Sequence, residues 1–94
     1  MVQYIVKRNG EKVSFDAKKI RNAIFKANIR IAAERMSDAD LDDLTAQVIA
    51  EFDGGKTVPT VEQIQDVVEE KLIAGGFAKT AKAYILYRAE HTKV

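Results

Sequence analysis

The chain contains no cysteine, no tryptophan, one proline and one histidine among its 94 residues. Without cysteine it can form no disulfide, no thiolate metal site and no cysteine nucleophile. The single histidine, His91, has no second imidazole with which to bind zinc and lies in no constellation resembling a catalytic triad. The chain also lacks an apolar run of about 18 residues, which a membrane-spanning helix requires. These absences predict a chain that performs no catalysis by itself and does not cross a membrane.

The length of the chain limits what it can enclose. Ninety-four residues suffice for one modest hydrophobic core but not for a deep active site beside it. The first residues show neither the basic nor the apolar region of a secretory signal, so we expect a cytoplasmic location. We therefore expect one soluble domain over residues 1–94.

Charge is unevenly distributed although the net charge is only +1. Residues 1–35 carry nine basic residues (Lys or Arg) and three acidic ones. Residues 36–76 carry two basic and ten acidic residues, and residues 77–94 carry four basic residues and one acidic residue. Opposite charges on neighbouring helices would account for this pattern, and so would a positive patch that binds a polyanion. The two interpretations are compatible.

The amino-terminal part predicts a β-hairpin over residues 3–15. Residues 2–7 are rich in β-forming side chains, and Val13-Ser14-Phe15 alternates apolar and polar residues. Between them lies Asn9-Gly10, a strong hairpin signal because both residue types tolerate a positive φ. A hairpin alone is marginally stable, so it must lie against other elements. The pattern leaves open whether a third strand over residues 56–58 joins it.

Four helical segments follow, over about residues 16–35, 37–52, 60–75 and 77–91. Apolar residues recur at helical spacing in each segment. Asp16 is the expected N-cap of the first helix, and Ser37 and Thr60 begin sequences that fit capping boxes. The predicted fold class is therefore α+β, a four-helix bundle capped by a small antiparallel hairpin or three-stranded sheet.

Basic residues concentrate at the hairpin turn and at the start of the first helix. They are Lys7, Arg8, Lys12, Lys18, Lys19 and Arg21. Such side chains form charge-assisted hydrogen bonds with phosphate, and a turn or helix N-terminus adds backbone N–H groups. Because surface lysine and arginine are common, this pattern alone fits a solvated hairpin as well as a phosphate site.

Three blocks of sequence resemble the ATP-cone family over about residues 3–91. The first is Val6-Lys7-Arg8-Asn9-Gly10 with Phe15-Asp16 and Lys19-Ile20-Arg21-Asn22-Ala23-Ile24. The second runs from Val58-Pro59-Thr60 to Glu69, and the third from Ala81 to Arg88. The resemblance implies four helices under a β-lid that binds ATP or dATP. It also implies allosteric control of a ribonucleotide reductase, whose activity ATP promotes and dATP suppresses.

The resemblance also implies roles for individual residues. Lys7 and Arg8 should reach the phosphates, Glu11 or Lys12 should lie near the sugar and turn, and Lys19 and Ile20 should line the base and phosphate side of the lid. Thr60 with Glu62 or Gln63 matches positions near phosphate or metal, and Tyr87 and His91 match positions that contact nucleotide. The expected nucleotide site is Val6, Lys7, Arg8, Asn9, Gly10, Glu11, Lys12, Lys19, Ile20, Thr60, Gln63, Tyr87 and His91.

Two of these positions depart from the family pattern. Asn9 stands where Asp is commoner, which suits the same turn geometry. His91 stands where many members have Lys, and a neutral imidazole would attract phosphate less. Packing is the other role open to Ile20 and Tyr87, and N-capping is the other role open to Thr60.

The resemblance implies Mg²⁺ with the nucleotide, no metal site formed by protein ligands alone, and two partners: the parent enzyme's catalytic domain and a second cone through self-association. We expect an oxygen-independent, glycyl-radical ribonucleoside-triphosphate reductase as the parent. Two alternatives remain. One is a nucleic-acid-binding module of a nucleotide-responsive transcriptional regulator, although nucleic acid is not the expected partner. The other is a degenerate cone that acts as a helical interaction module.

Overall fold

A computed structural model describes residues 3–55 and 57–92, with side chains as far as residue 90. Two short antiparallel strands, β1 (Tyr4–Val6) and β2 (Lys12–Ser14), precede four helices. The helices are α1 (Ala17–Asn28), α2 (Asp38–Ala50), α3 (Val61–Ala74) and α4 (Ala78–Thr92), with a 3₁₀ turn at Ala32–Glu34 between α1 and α2. This architecture confirms the predicted α+β fold class of four helices with a small hairpin.

The predicted caps begin three of the helices. The Asp16 carboxylate accepts a hydrogen bond from the Lys18 backbone N–H at the start of α1. Ser37 with Asp40 and Thr60 with Gln63 form reciprocal capping boxes at α2 and α3. Each box satisfies backbone N–H groups that a helix terminus otherwise leaves without a partner.

The helices form a ring in which α1 packs on α2, α2 on α3, α3 on α4 and α4 on α1. Their apolar stripes meet in one core, where Ile24, Val48, Val68 and Leu72 are completely buried. The partly buried hairpin residue Ile5 packs against this core from outside. The hairpin therefore lies on the bundle rather than inside it.

Helix α1 ends at Asn28, so the predicted extension of the first helix to residue 35 is wrong. The Asn28 amide donates hydrogen bonds to the Glu34 carbonyl oxygen at 2.8 Å and to Thr80 Oγ1 at 3.0 Å. Its side-chain oxygen accepts one from the Met36 N–H at 2.9 Å. These three bonds fold residues 29–36 back across the end of α1, which helical spacing in the sequence does not reveal.

Helix α4 begins against a side chain from the 3₁₀ turn. The two carboxylate oxygens of Glu34 accept hydrogen bonds from the backbone N–H groups of Lys79 and Thr80, at 3.0 and 2.7 Å. Phe77, which precedes α4, has no side-chain oxygen with which to cap it. Glu34 therefore supplies from a distant segment the cap that α4 lacks locally.

The third strand over residues 56–58, which the sequence pattern leaves open, is not present as a strand in the part that the structure describes. Lys56 lies outside the described residues, and Thr57 and Val58 belong to no strand. Instead, an isolated parallel bridge joins Val6 to Thr60, and the Val6 N–H donates to the Pro59 carbonyl oxygen at 3.0 Å. A proline at position 59 has no N–H to donate, so a regular ladder cannot form there.

None of the described helices is both long enough and apolar enough to cross a membrane.

We predict that Asn28→Ala lowers the free energy of unfolding by about 2–3 kcal/mol, because it leaves buried polar partners without hydrogen bonds. Asn28 is only 5% exposed, and Thr80 is completely buried. Urea denaturation followed by circular dichroism measures the change. The matched control is Asn22→Ala on the exposed side of the same helix, which should change stability little. Equal stability of the two variants would contradict the role given to Asn28.

We predict that Glu34 makes stability depend on pH in the acidic range. Partial desolvation raises the pKa of its carboxyl group, but the hydrogen bonds from Thr80 and Lys79 outweigh this and hold the pKa below the ordinary value of 4.5. A lowered folded-state pKa stabilises the fold above the unfolded pKa, and that stabilisation is lost as pH falls through the folded pKa. Glu34→Gln should therefore be less stable than the unchanged chain near neutral pH, and the difference should shrink below about pH 4.5.

Urea denaturation at several pH values between neutral and acid tests this expectation, with Glu70→Gln on the exposed surface of α3 as the control. A difference between Glu34→Gln and the unchanged chain that stays constant with pH would exclude the proposed cap.

Candidate functional site

A cavity of about 540 Å³ lies between the hairpin and helices α1, α3 and α4. The hairpin and the residues after it form one wall of the cavity, and the first two turns of α1 form a second wall. The start of α3 and Tyr84 of α4 form the rest of the lining. Its lining residues are Ile5, Lys7, Val13, Ser14, Phe15, Asp16, Lys19, Ile20, Ala23, Val61, Ile64, Gln65 and Tyr84. The volume lies within the range of small-molecule sites, commonly about 300–1,000 Å³.

The lining combines an apolar interior with two lysines. Phe15, Ile20 and Ile64 contribute apolar surface, while Lys7 and Lys19 are exposed. Neither lysine forms an ion pair with another described residue. Such a cavity can hold an apolar, planar group and place an attached anion beside two ammonium groups.

Tyr84 forms part of the floor of the cavity, where α4 meets α1 and α3. The residue is 4% exposed, and burial strongly raises the pKa of its phenol. Its ring stacks on that of the half-buried Tyr87, with centroids 6.4 Å apart. Tyr87 therefore supports a cavity residue but is not itself among the lining residues.

Arg8 lies beside the cavity and joins the hairpin to α3. Its Nη1 is 2.8 Å from a Glu62 carboxylate oxygen, and its Nη2 donates to Gln65 Oε1 at 3.0 Å. Gln65 lines the cavity, so one of the two partners of Arg8 is also part of the cavity wall.

The turn residues shape the hairpin without lining the cavity. The Gly10 N–H donates to the Lys7 carbonyl oxygen at 2.9 Å, and Gly10 has φ +86°, which a glycine adopts without strain. The Asn9 side-chain oxygen accepts from the Glu11 N–H at 3.0 Å. Val6 uses its N–H in the bond to Pro59. These bonds fix the turn, in which Lys7 and Arg8 are consecutive residues just before Asn9 and Gly10.

Three further residues of the expected site have other contacts. The Lys12 Nζ lies 4.4 Å from the centroid of the Tyr4 ring, a cation–π contact. Thr60 and Gln63 bind each other's backbone N–H groups in the capping box, at 3.1 and 2.9 Å. None of the three is among the lining residues. The backbone of His91 belongs to α4, and its side chain lies outside the described residues.

The structure thus brings together Lys7, Lys19 and Ile20 at one cavity, and the other described side chains of the expected set do not line it. It also adds lining residues that the expected site did not include, among them Ser14, Asp16, Val61 and Gln65. The sequence does mark Gln65. It follows Val61 by four positions and so lies on the same face of the helix, where it is a polar residue in an otherwise apolar stripe. No such signal marks Ser14, whose place depends on how the hairpin sits.

Ion pairs between segments of opposite charge support the first interpretation of the charge pattern. Arg21 reaches Asp38 at 3.0 Å and Asp42 at 2.6 Å, which joins α1 to α2. Arg88 reaches Asp66 and Glu69 at 3.0 Å each, which joins α4 to α3. Lys7 and Lys19 take part in none of these ion pairs and line the cavity, which agrees with the second interpretation, a positive patch.

Among the side chains that the structure describes, in residues 3–55 and 57–90, no group of three His, Cys, Asp or Glu residues is placed to hold a metal ion. A metal bound at the cavity would need ligands from another molecule in addition to Asp16, the carboxylate that lines it.

The chain is similar to parts of larger enzymes. It is 38% identical over 99 residues to the vitamin B12-dependent ribonucleoside-diphosphate reductase of Thermoplasma acidophilum, where the match covers 100% of this chain and 12% of that protein. It is 35% identical over 88 residues to the anaerobic ribonucleoside-triphosphate reductase of Escherichia coli, covering 94% of this chain and 12% of that protein. It is 40% identical over 96 residues to the ribonucleoside-diphosphate reductase subunit alpha of Chlamydia trachomatis, where the match covers 89% of this chain and 9% of that protein.

The chain spans only about an eighth of the length of the first two relatives. The family model of the ATP cone domain, a regulatory rather than catalytic unit, matches residues 3–93. The chain therefore belongs to the ATP-cone family.

Proposed function

We propose that this domain binds ATP and dATP in the cavity beneath the hairpin and thereby controls the activity of a ribonucleotide reductase. The observation that carries the proposal is the combination of apolar interior walls with Lys7 and Lys19 in one cavity of suitable volume. The family membership and the reductase relatives support the same function.

The chemistry of the cavity matches the two ends of a nucleotide. A purine base is flat and largely apolar, and it would lie between Phe15, Ile20 and Ile64. The phosphates would lie toward Lys7 and Lys19, with Arg8 at the adjoining edge. Each charge-assisted hydrogen bond to phosphate is stronger than a neutral one, so the cations would supply much of the affinity.

Mg²⁺ fits this proposal as a companion of the phosphates. Mg²⁺ is usually bound by one or two carboxylates together with substrate phosphates, and Asp16 offers one carboxylate at the cavity. The ion would neutralise part of the phosphate charge when bound. Asp16 would then serve two purposes, since one of its oxygens also caps α1.

Control of a reductase requires that the nucleotide distinguish two states of the parent enzyme. A ligand shifts an equilibrium only through its differential affinity for the states. ATP and dATP differ by one 2′-hydroxyl, so their opposite effects would arise from contacts at the sugar or from a different position of the hairpin. The partners would be the catalytic domain and a second cone in self-association, within the cytoplasm. We favour a ribonucleoside-triphosphate reductase of the anaerobic kind as the parent.

We predict saturable binding of ATP and dATP, and weaker or no binding of GTP, in isothermal titration calorimetry of the 94-residue chain with and without Mg²⁺. Lys7→Ala and Lys19→Ala should each weaken ATP binding by about tenfold or more, because each removes a charge-assisted hydrogen bond. Circular dichroism should show an unchanged fold, since both side chains are exposed.

The matched control is Lys82→Ala, which removes an exposed lysine of α4 that does not line the cavity. Unchanged ATP affinity in both cavity variants would reject the assigned site. Absence of any nucleotide binding would favour a degenerate cone that acts through helical contacts. Salt-dependent binding of duplex DNA in place of nucleotide would favour the nucleic-acid-binding module.

A further inference from the structure

Arg8 contacts two side chains of α3. Its Nη1 meets the Glu62 carboxylate and its Nη2 meets the Gln65 amide oxygen, so both terminal nitrogens are directed to α3. We name this set of Arg8, Glu62 and Gln65 the latch. It joins the hairpin turn to the first two turns of α3, beside the cavity that Gln65 lines.

The ion pair between Arg8 and Glu62 is partly exposed to solvent, so another anion can replace Glu62 at low cost in free energy. The Arg8 and Glu62 side chains are 42% and 40% exposed, and an ion pair with this exposure stabilises a fold only weakly. Glu62 is the acidic residue in the first turn of α3, where a negative charge is favoured by the helix dipole. A negative charge is therefore suited to this place, whether a carboxylate or another anion supplies it.

Phosphate binding by Arg8 would compete with these contacts. An arginine holds phosphate through two nitrogens on one edge of the guanidinium group, and every such pair includes Nη1 or Nη2. Because each terminal nitrogen carries two N–H groups, a phosphate held in this way shares a nitrogen with Glu62 or Gln65 and brings its oxygens close to theirs. The competition is strongest at Glu62, because it is also a negative charge and would repel the phosphate at close range.

We propose that Glu62 competes with the phosphates of a nucleotide for Arg8, so that Arg8 is held either in the latch or by the phosphates. This inference rests on the proposed nucleotide site. Binding then removes one attachment of the hairpin turn to the start of α3, while the bond from Val6 to Pro59 remains. Glu62 acts through Arg8 and is a positioning residue, without contact to the nucleotide.

A double-mutant cycle tests the exchange, with Glu62→Gln, Arg8→Ala and the combined variant measured by calorimetry with ATP. Glu62→Gln keeps the shape of the side chain but removes its charge, so it should tighten ATP binding roughly two- to fivefold when Arg8 is present. The same substitution should tighten ATP binding clearly less in the Arg8→Ala background, where it relieves only the repulsion between Glu62 and phosphate and releases no cation.

Adenosine serves as the ligand control, because it has no phosphate with which to compete. Its affinity, measured by NMR titration, should be the same for the unchanged chain and for Glu62→Gln. The variant control is Glu70→Gln, which removes an exposed carboxylate elsewhere on α3 and should leave ATP affinity unchanged.

Three results would overturn the exchange while leaving the nucleotide site intact. ATP binding that tightens equally with and without Arg8 would show general repulsion by Glu62. ATP binding that weakens in Glu62→Gln would show that Glu62 orients Arg8 toward the phosphate. An affinity for ATP that Glu62→Gln does not change would show that Arg8 keeps the latch in the bound state. Failure of the unchanged chain to bind ATP would overturn both proposals.

Discussion

The attachment of the hairpin to the first turn of α3 is the interaction on which the candidate site depends. A two-stranded hairpin is marginally stable alone, so its position is set by the surface that it lies on. Here the Val6 N–H binds the Pro59 carbonyl oxygen, and Arg8 reaches Glu62 and Gln65 across the same junction. These bonds hold the hairpin over the helices without filling the space beneath it. The cavity is the space that remains, and a change at this junction would alter its width.

The helices below provide a rigid base for this arrangement. Asn28 and Glu34 join the end of α1, the 3₁₀ turn and the start of α4 through hydrogen bonds to Thr80, and α4 in turn carries Tyr84 into the cavity floor. Arg88, which two carboxylates of α3 hold in place, keeps α3 and α4 together one turn further along α4. The site thus combines a well-packed base with a lightly attached cover. A cover of this kind can respond to a ligand at a modest cost in free energy, because few buried contacts must change.

Local chemistry made most of the fold predictable from sequence, whereas contacts distant in sequence set the parts that were not. The caps at Asp16, Ser37 and Thr60 act within three residues, so they can be predicted from the local sequence. The end of α1 depends on Asn28 reaching Thr80, 52 positions away, and no periodicity records that. The site likewise divides into features that the sequence predicts and features that distant contacts determine. The basic residues form a visible cluster in the sequence, and the family resemblance indicated which of them face a ligand. That Gln65 and Asp16 line the cavity depends on the tilt of the hairpin, which only the assembled structure defines.

The central claim is that the cavity beneath the hairpin is the nucleotide site. Methyl-resolved NMR during titration with ATP tests it most directly, because isoleucine and valine side chains lie both inside the cavity and far from it. The account predicts that the methyl signals of Ile5, Val13 and Ile20 shift in a saturable way while those of Ile73, exposed near the other end of α3, do not. Saturable shifts confined to Ile73 and its surroundings, with the cavity methyl signals unchanged, would contradict it.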